Sequence, residues 1–329
     1  MHQRLSRSNW PYCDSTYPDA FSGEKDSCGV GFIASVEGKQ NHWVLSQALL
    51  GLSCMEHRGG CGGDGDSGDG AGILCEIPWS YLKQVWDTAK KCEPQSSGIG
   101  MIFMPKDSKN REIARKICEE EAESVGLTSK GWRNVPVHEE VLGKLARENE
   151  PFITQWIVNI KDKDINLEAL LFRLRQRISN RANIELKEDK LGLYICSLSS
   201  KTIVYKGMVR SEILAPYYAD LNDDRFEVSY AVYHRRFSTN TLPKWPLAQP
   251  MRLLGHNGEI NTLLGNINWA KATETDISSV WKENANDLKP IVNNLFSDSA
   301  NLDLNLELLV RSGRPITCLL YTSPSPRDS

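Results

Sequence analysis

No apolar run in this sequence approaches the roughly 20 residues that span a bilayer, which removes a membrane-crossing helix from consideration. Residues 1–27 carry Arg4 and Arg7 but lack the apolar stretch of a secretory signal. They read as a leader that is neither signal nor core, and removal fits it. An excess of one charge sign is also missing: 39 Lys and Arg stand against 42 Asp and Glu, for a net charge of −3 and an isoelectric point near 6.1. That balance supplies no global field for nucleic acid or an anionic membrane, so neither is expected as a partner. The nine cysteines are odd in number, show no tight repeating spacing, and sit in a chain far longer than disulfide scaffolds. A reducing compartment follows. There is no internal repeat and no Gly-Lys-Ser/Thr phosphate loop.

What is present is an ordinary folded composition of 329 residues, 40% apolar and 25% charged, enough for one large domain or two smaller ones. Strand-like runs are expected at Cys28–Val36, Gly72–Ile77, Ile99–Met104, Phe152–Ile160, Leu191–Leu198, Thr202–Tyr205 and Phe226–Tyr233. Helical spacing marks Asn41–His57, Trp79–Lys91, Asn110–Ser124 and the leucine stripe Leu167, Leu170, Leu171, Leu174, Ile178. Several strands follow one another with no helix between them, so the fold class is α+β, with antiparallel sheets covered by helices. Arg173, Arg177 and Arg181 stripe the opposite face of the leucine helix and read as a solvated face. Residues 318–329 lose all periodicity and read as a disordered or non-native tail.

Cys28 opens a core strand behind the leader. If the leader is cut away, that residue carries both a thiol and a free α-amino group. The thiolate is the reactive form of cysteine and is scarce at neutral pH with an ordinary pKa of about 8.5. An α-amino group titrating near 7.7 to 8.0 is placed to accept its proton. The competing reading is a small buried hydrophobe. Gly63, Gly65 and Gly68 match a dinucleotide-loop spacing, but Asp64, Asp66 and Asp69 would repel a pyrophosphate. As a calcium loop the segment has Cys75 where a bidentate Glu belongs. What remains is an acidic turn-rich loop whose glycines permit positive φ or close backbone approach. Cys54, His57 and Cys61 match no common zinc spacing, and Cys54 reads as core.

In the second half, His234-Arg235-Arg236-Phe237-Ser238-Thr239 closes a strand. A strand end is a rigid mount for a guanidinium gripping a carboxylate; a surface arginine pair is the alternative. Leu253–Thr262 reads as a short strand turning through Asn257-Gly258, either a plain hairpin or a pair of donors, the Asn257 amide and the Gly258 N–H, converging on an oxyanion. Asp298 precedes a leucine-rich helix, as its cap or as a receptor for a substrate ammonium.

Five motifs in order carry a resemblance. They are Cys28-Gly29-Val30-Gly31-Phe32; His57-Arg58-Gly59 with Gly68-Asp69-Gly70-Ala71-Gly72; Arg236-Phe237-Ser238-Thr239-Asn240-Thr241; Gly255-His256-Asn257-Gly258-Glu259-Ile260-Asn261-Thr262; and Ser297-Asp298-Ser299. Residues 28 to about 317 resemble the glutaminase domain of glutamate synthases, class II glutamine amidotransferases with the N-terminal-nucleophile hydrolase fold. The wording around Cys54–Cys61 and Trp245–Arg252 is most similar to the ferredoxin-dependent branch of cyanobacteria and plastids. The resemblance implies a four-layer αββα sandwich of two mainly antiparallel sheets and L-glutamine as substrate. It implies Cys28 as nucleophile with its freed amine as base, and Asn257 and Gly258 as the oxyanion hole. Arg236 would hold the α-carboxylate and Asp298 the α-ammonium, Phe237 and Thr239 would line the pocket, and Arg58 would lie nearby with no assigned role. No cofactor is expected in this segment. FMN, a 3Fe-4S cluster and ferredoxin as electron donor belong to the longer enzyme, in a plastid stroma or a cyanobacterial cytoplasm. The same domain serving another ammonia acceptor, or an unprocessed binding module, are the alternatives.

Overall fold

The computed structural model describes residues 29–55, 60, 63–162, 165–186, 192–236, 242–256, 263–274, 277–293 and 296–321. Its longer elements are, in order, β1 (Val30–Ala34), α1 (His42–Cys54), β2 (Ala71–Glu76), β3 (Ser97–Met104), α2 (Ser108–Ser124), β4 (Leu127–Asn134), β5 (Phe152–Ile160), α3 (Leu167–Glu185), β6 (Tyr194–Ser199), β7 (Thr202–Gly207), β8 (Tyr230–Arg235), α4 (Leu263–Thr273) and α5 (Asp298–Arg311). Four of the helices start where a side chain accepts from a first-turn amide: Asn41 from Val44, Asp107 from Asn110, Asn166 from Ala169 and Ser297 from Ala300. Each such cap is typically worth about 1 kcal/mol and fixes the helix register.

The strands form two four-stranded sheets, ordered β1-β8-β2-β7 and β4-β5-β3-β6, and every pairing between them is antiparallel. Period-2 alternation sorts β3 between two cores. Ile99, Met101 and Phe103 join the core shared with the first sheet, while Ile102 and Met104 join the core under α2 and α3. On β5, Ile153 and Ile157 go one way, and Trp156, Val158 and Ile160 the other. Val44, Leu45, Ala48 and Leu52 of α1 close the first sheet from outside. The expected α+β sandwich of two antiparallel sheets covered by helices is therefore the observed one.

Several local expectations are corrected. β4 went unread because its sequence, with Leu127 and Trp132 as its only large apolar residues, lacks alternation. It is an edge strand held to β5 by a ladder that shifts register between Ser129 and Gly131 and by Trp132 stacked on Trp156 at 5.0 Å. The helix expected over 79–91 is two pieces, Trp79–Val85 and Asp87–Lys90, separated by Trp86 in extended conformation. Cys54 is exposed at the last turn of α1 and is not core. The arginine stripe of α3 is no solvated face. Arg173 pairs with Asp287 at 2.6 Å, Arg177 bridges Glu121 at 2.6 Å and Asp287 at 2.8 Å, and Arg181 reaches Glu120 at 2.7 Å. These pairs clamp α3 to α2 and to the 282–288 turn.

The antiparallel order brings three strand ends together. β1 begins beside the end of β8, Val30 opposite His234, and β2 begins on its other flank, Ala71 opposite Arg235. On the far side of this edge, α5 is tied to α3 by the buried pair Arg175–Glu307 at 2.6 Å, which fixes where its first residue, Asp298, stands.

Candidate active site

The end of β8 is pinned on both flanks by its own backbone. The Arg235 amide donates to the Gly29 carbonyl at 2.6 Å, and the Arg236 amide donates to the Gly70 carbonyl at 2.8 Å. Both arginines are buried, 2% and 6% exposed, so they are not a surface pair. Consecutive strand residues point to opposite faces. Arg235 sends its guanidinium to the Ser211 hydroxyl at 2.5 Å, with Glu212 at 3.5 Å. Arg236 points the other way, into the field of two carboxylates, Asp69 and Asp298; burial nonetheless holds its pKa below the ordinary arginine value.

Asp69 is 8% exposed, and its amide donates to the Gly60 carbonyl at 3.3 Å. A Cβ at position 60 would stand 2.4 Å from the Asp69 carboxylate, so any larger residue there would push that side chain out of its place. The rest of the acidic loop is scaffold. Asp64 accepts from the Ser67 amide at 2.9 Å, the Ser67 hydroxyl at 2.6 Å and the Leu145 amide at 2.9 Å, and these bonds hold its pKa far below the carboxylate range, with the Leu145 bond foremost. Gly70 has φ +139°, and a Cβ on Gly68 would meet the Val209–Arg210 backbone at 2.4 Å, the two uses expected of glycines in this loop. Among the described residues no group of three His, Cys, Asp or Glu is placed to hold a metal ion; His57 and Cys61 lie outside them.

The segment before Asn257 is not the short strand expected. Leu253 and Leu254 donate their amides to one oxygen of Asp303, at 2.9 and 3.1 Å, and Arg252 pairs with the other at 3.5 Å. Asp303 is fully buried on α5, and its carboxylate takes the hydrogen bonds that a neighbouring strand would otherwise satisfy. The chain then reaches His256, whose amide donates to Gln249 Oε1 at 2.9 Å. Its carbonyl lies 2.9 Å from His234 Nε2, and its Nδ1 lies 3.3 Å from the Ser299 hydroxyl. Ser299 donates in turn to Asp298 Oδ1, from its amide at 2.6 Å and its hydroxyl at 3.2 Å. The helix cap is Ser297, one residue earlier, so Asp298 is not the cap but the first helical residue.

His234 is 1% exposed, and burial pushes its pKa down to about 4, against the hydrogen bond to the His256 carbonyl, which raises it, and with the charge of Arg236 adding a smaller lowering. Since a carbonyl only accepts, Nε2 of this neutral ring carries the hydrogen. The unfolded chain binds the proton near pH 6.5 and the folded one only near pH 4, so the stability that a neutral His234 brings is complete above pH 6.5. It falls as pH drops toward 4, by up to roughly 3 kcal/mol. Urea midpoints at pH 7 and 4.5 should differ by more in the native chain than in His234→Gln; equal differences would contradict the assignment.

Of the expected site residues, Arg236 and Asp298 are brought together electrostatically. Cys28, Arg58, Phe237, Thr239, Asn257 and Gly258 lie outside the described residues, although the neighbours Gly29, Arg236 and His256 are in place. Asp69, His234 and Ser299 were not assigned roles from sequence. His234 could have been found, since Val232, His234 and Arg236 share one face by alternation; Asp69 could not, because its burial is set by Gly60 and the sheet edge.

A buried arginine between two carboxylates at the joined ends of β1, β8 and β2 is the setting in which comparison with known proteins becomes informative. Residues 28–323 match the family of class II glutamine amidotransferases, and the chain belongs to that family. It is 52% identical over 308 residues to ferredoxin-dependent glutamate synthase 2 of Synechocystis sp., 50% over 310 residues to ferredoxin-dependent glutamate synthase of Pyropia yezoensis, and 47% over 308 residues to the chloroplastic/mitochondrial ferredoxin-dependent glutamate synthase 1 of Arabidopsis thaliana. Each alignment covers 92% of this chain but 19% to 20% of the relative, so the chain spans about a fifth of their length. Among the described residues no helix is long and apolar enough to cross a membrane.

Proposed function

We propose that residues 28–317 form a glutaminase domain that hydrolyses L-glutamine to L-glutamate and ammonia, with residues 1–27 as a removed leader. The observation that carries this reading is Arg236, buried at a strand end with Asp69 and Asp298 in its field, one residue from the amide that holds Gly29. A cation beside an anion is the complement of an α-amino acid: the guanidinium takes the α-carboxylate and Asp298 the α-ammonium. Cys28 directly precedes Gly29, whose carbonyl accepts from the Arg235 amide at this edge.

The Cys28 α-amine accepts the thiol proton, and the thiolate attacks the side-chain amide carbon. The tetrahedral oxyanion receives hydrogen bonds from the Asn257 amide and the Gly258 N–H. Return of the proton to the leaving nitrogen releases ammonia and leaves a γ-glutamyl thioester. The amine then takes a proton from water, the hydroxide adds to the thioester carbon, and collapse breaks the C–S bond to release glutamate, the amine returning its proton to the thiolate. Phe237 and Thr239 line the pocket, and Arg58 stands near it.

In the longer enzyme the ammonia would pass to 2-oxoglutarate, with electrons from ferredoxin. FMN and the 3Fe-4S cluster then belong to the part outside this chain. Three of the described cysteines do not suit a cluster: burial pushes the thiols of Cys75 and Cys118 far up and that of Cys196 up to about 12, which keeps them protonated. A plastid stroma or cyanobacterial cytoplasm matches the sources of the relatives.

An electrophilic glutamine analogue tests the assignment. One equivalent should attach to a mature chain beginning at Cys28, located by intact mass and peptide mapping. Attachment at any other residue, or none, would overturn it.

A further inference from the structure

Arg236 stands in the field of two carboxylates, and an α-amino acid needs only one of them. Asp298 answers the ammonium. Asp69 is buried at the same edge and has no part in that scheme. Its place is set by the backbone around it. Its amide donates to the Gly60 carbonyl at 3.3 Å, and its carboxylate occupies the space that a side chain on residue 60 would need. On one side, a side chain on Gly68 would run into the backbone of Val209 and Arg210; on the other, Gly70 packs on Ala248 and its carbonyl accepts from the Arg236 amide at 2.8 Å. The next residue, Ala71, is already opposite Arg235 in the ladder. The backbone that carries Asp69 is therefore tied to the strand end that carries Arg236.

We infer that Asp69 is a charge-selectivity residue, which sets the substrate site against amides of net negative charge, so that the guanidinium at the end of β8 takes a carboxylate far better when an ammonium arrives with it. The inference rests on the reading of Arg236 and Asp298 as receptors for the two α-groups of glutamine. By itself a desolvated guanidinium would grip any carboxylate. A fixed acid beside it repels the incoming carboxylate and attracts an incoming ammonium. Burial holds His234 and His256 toward their neutral forms, so neither ring cancels that field. For a zwitterion the two effects largely cancel. They do not cancel for an ion of either sign, and at an effective dielectric constant of about 20 two unit charges about 7 Å apart still change binding tenfold or more.

The test uses two analogues of glutamine that each lack one α-group: 4-carbamoylbutanoate, an anion without the ammonium, and 4-aminobutanamide, a cation without the carboxylate. Each is measured as a competitive inhibitor of glutamate formation from glutamine by the full chain. Asp69→Asn should lower the inhibition constant of the anion about tenfold and raise that of the cation about threefold, so that the ratio of anion to cation falls about thirtyfold. Asp69→Ser removes the same charge with a smaller side chain. It should move the ratio in the same direction by a similar factor, and it keeps the test decisive if the asparagine variant fails to fold.

A residue that only packs would weaken both inhibitors together and leave their ratio as it was. A ratio within about fivefold of native in the variants, or one that rises, overturns the inference. The levels separate on one preparation. If the native chain forms no glutamate from glutamine, or if neither ion competes with glutamine, the reading of the site fails and takes the inference with it. If glutamine is hydrolysed and both ions compete, but the variants keep the native ratio, the role of Asp69 falls alone and the reading of Arg236 and Asp298 stands.

Discussion

Replacing Cys28 with alanine should abolish glutamine hydrolysis, on the order of 10⁴- to 10⁶-fold, the range expected when a covalent nucleophile is removed. The same substitution should leave residues 1–27 attached, because the thiol is also the group expected to sever the Ser27–Cys28 bond. The two losses have one cause. While Ser27 is joined to residue 28, its nitrogen is an amide with no basic lone pair, and the thiol has no base on its own residue. Once the bond is cut, sulfur and base sit on one residue with no need for a histidine partner. Cys75, Cys118 and Cys196 are not suited to substitute, since they are buried and their thiols pushed up by desolvation. Ammonia release and intact mass on one preparation check both effects. Hydrolysis surviving in Cys28→Ala, or full turnover with Ser27 still in place, would refute the nucleophile.

The parts of this fold that could be read in the sequence are those whose signal is local. β3 and β5 are continuous apolar runs, α3 carries a leucine stripe, and the antiparallel class follows from strands succeeding one another without helices. β4 escaped because an edge strand takes its stability from one neighbour's ladder and a stacked tryptophan pair, not from its own pattern. The arginines of α3 escaped for a related reason: helical spacing shows that they share a face, but not that Glu121 and Asp287 come to meet that face from elsewhere. The site divides in the same way. Arg236 and Asp298 stood out within short motifs, whereas Asp69 beside Arg236 and His234 under the His256 carbonyl are pairings created by the order β1-β8-β2 and by the anchoring of α5. The loop before Asn257 was misread as a strand because Asp303, some fifty residues later, supplies the acceptors.

Arg236→Lys should lower kcat/KM for glutamine roughly 30-fold to 10³-fold, most of it in KM, and should leave the urea midpoint close to native. The magnitude is that of losing a desolvated, two-pronged grip on a carboxylate, about 2 to 4 kcal/mol. Lysine keeps the charge but offers a point in place of a fork, so the two-pronged hold on the substrate carboxylate is lost. Arg235→Lys provides the control, because the two residues share a strand end, a burial and a charge but not a direction. Arg235 is committed to Ser211 and Glu212 on the opposite face, so its replacement should lower the urea midpoint while KM for glutamine stays within about twofold. Steady-state kinetics and urea titration on both variants form a crossed pair. If Arg235→Lys raised KM and Arg236→Lys did not, the substrate carboxylate would have to be bound on the other face of β8, and the placement of the whole site at the meeting of β1, β8 and β2 would be wrong.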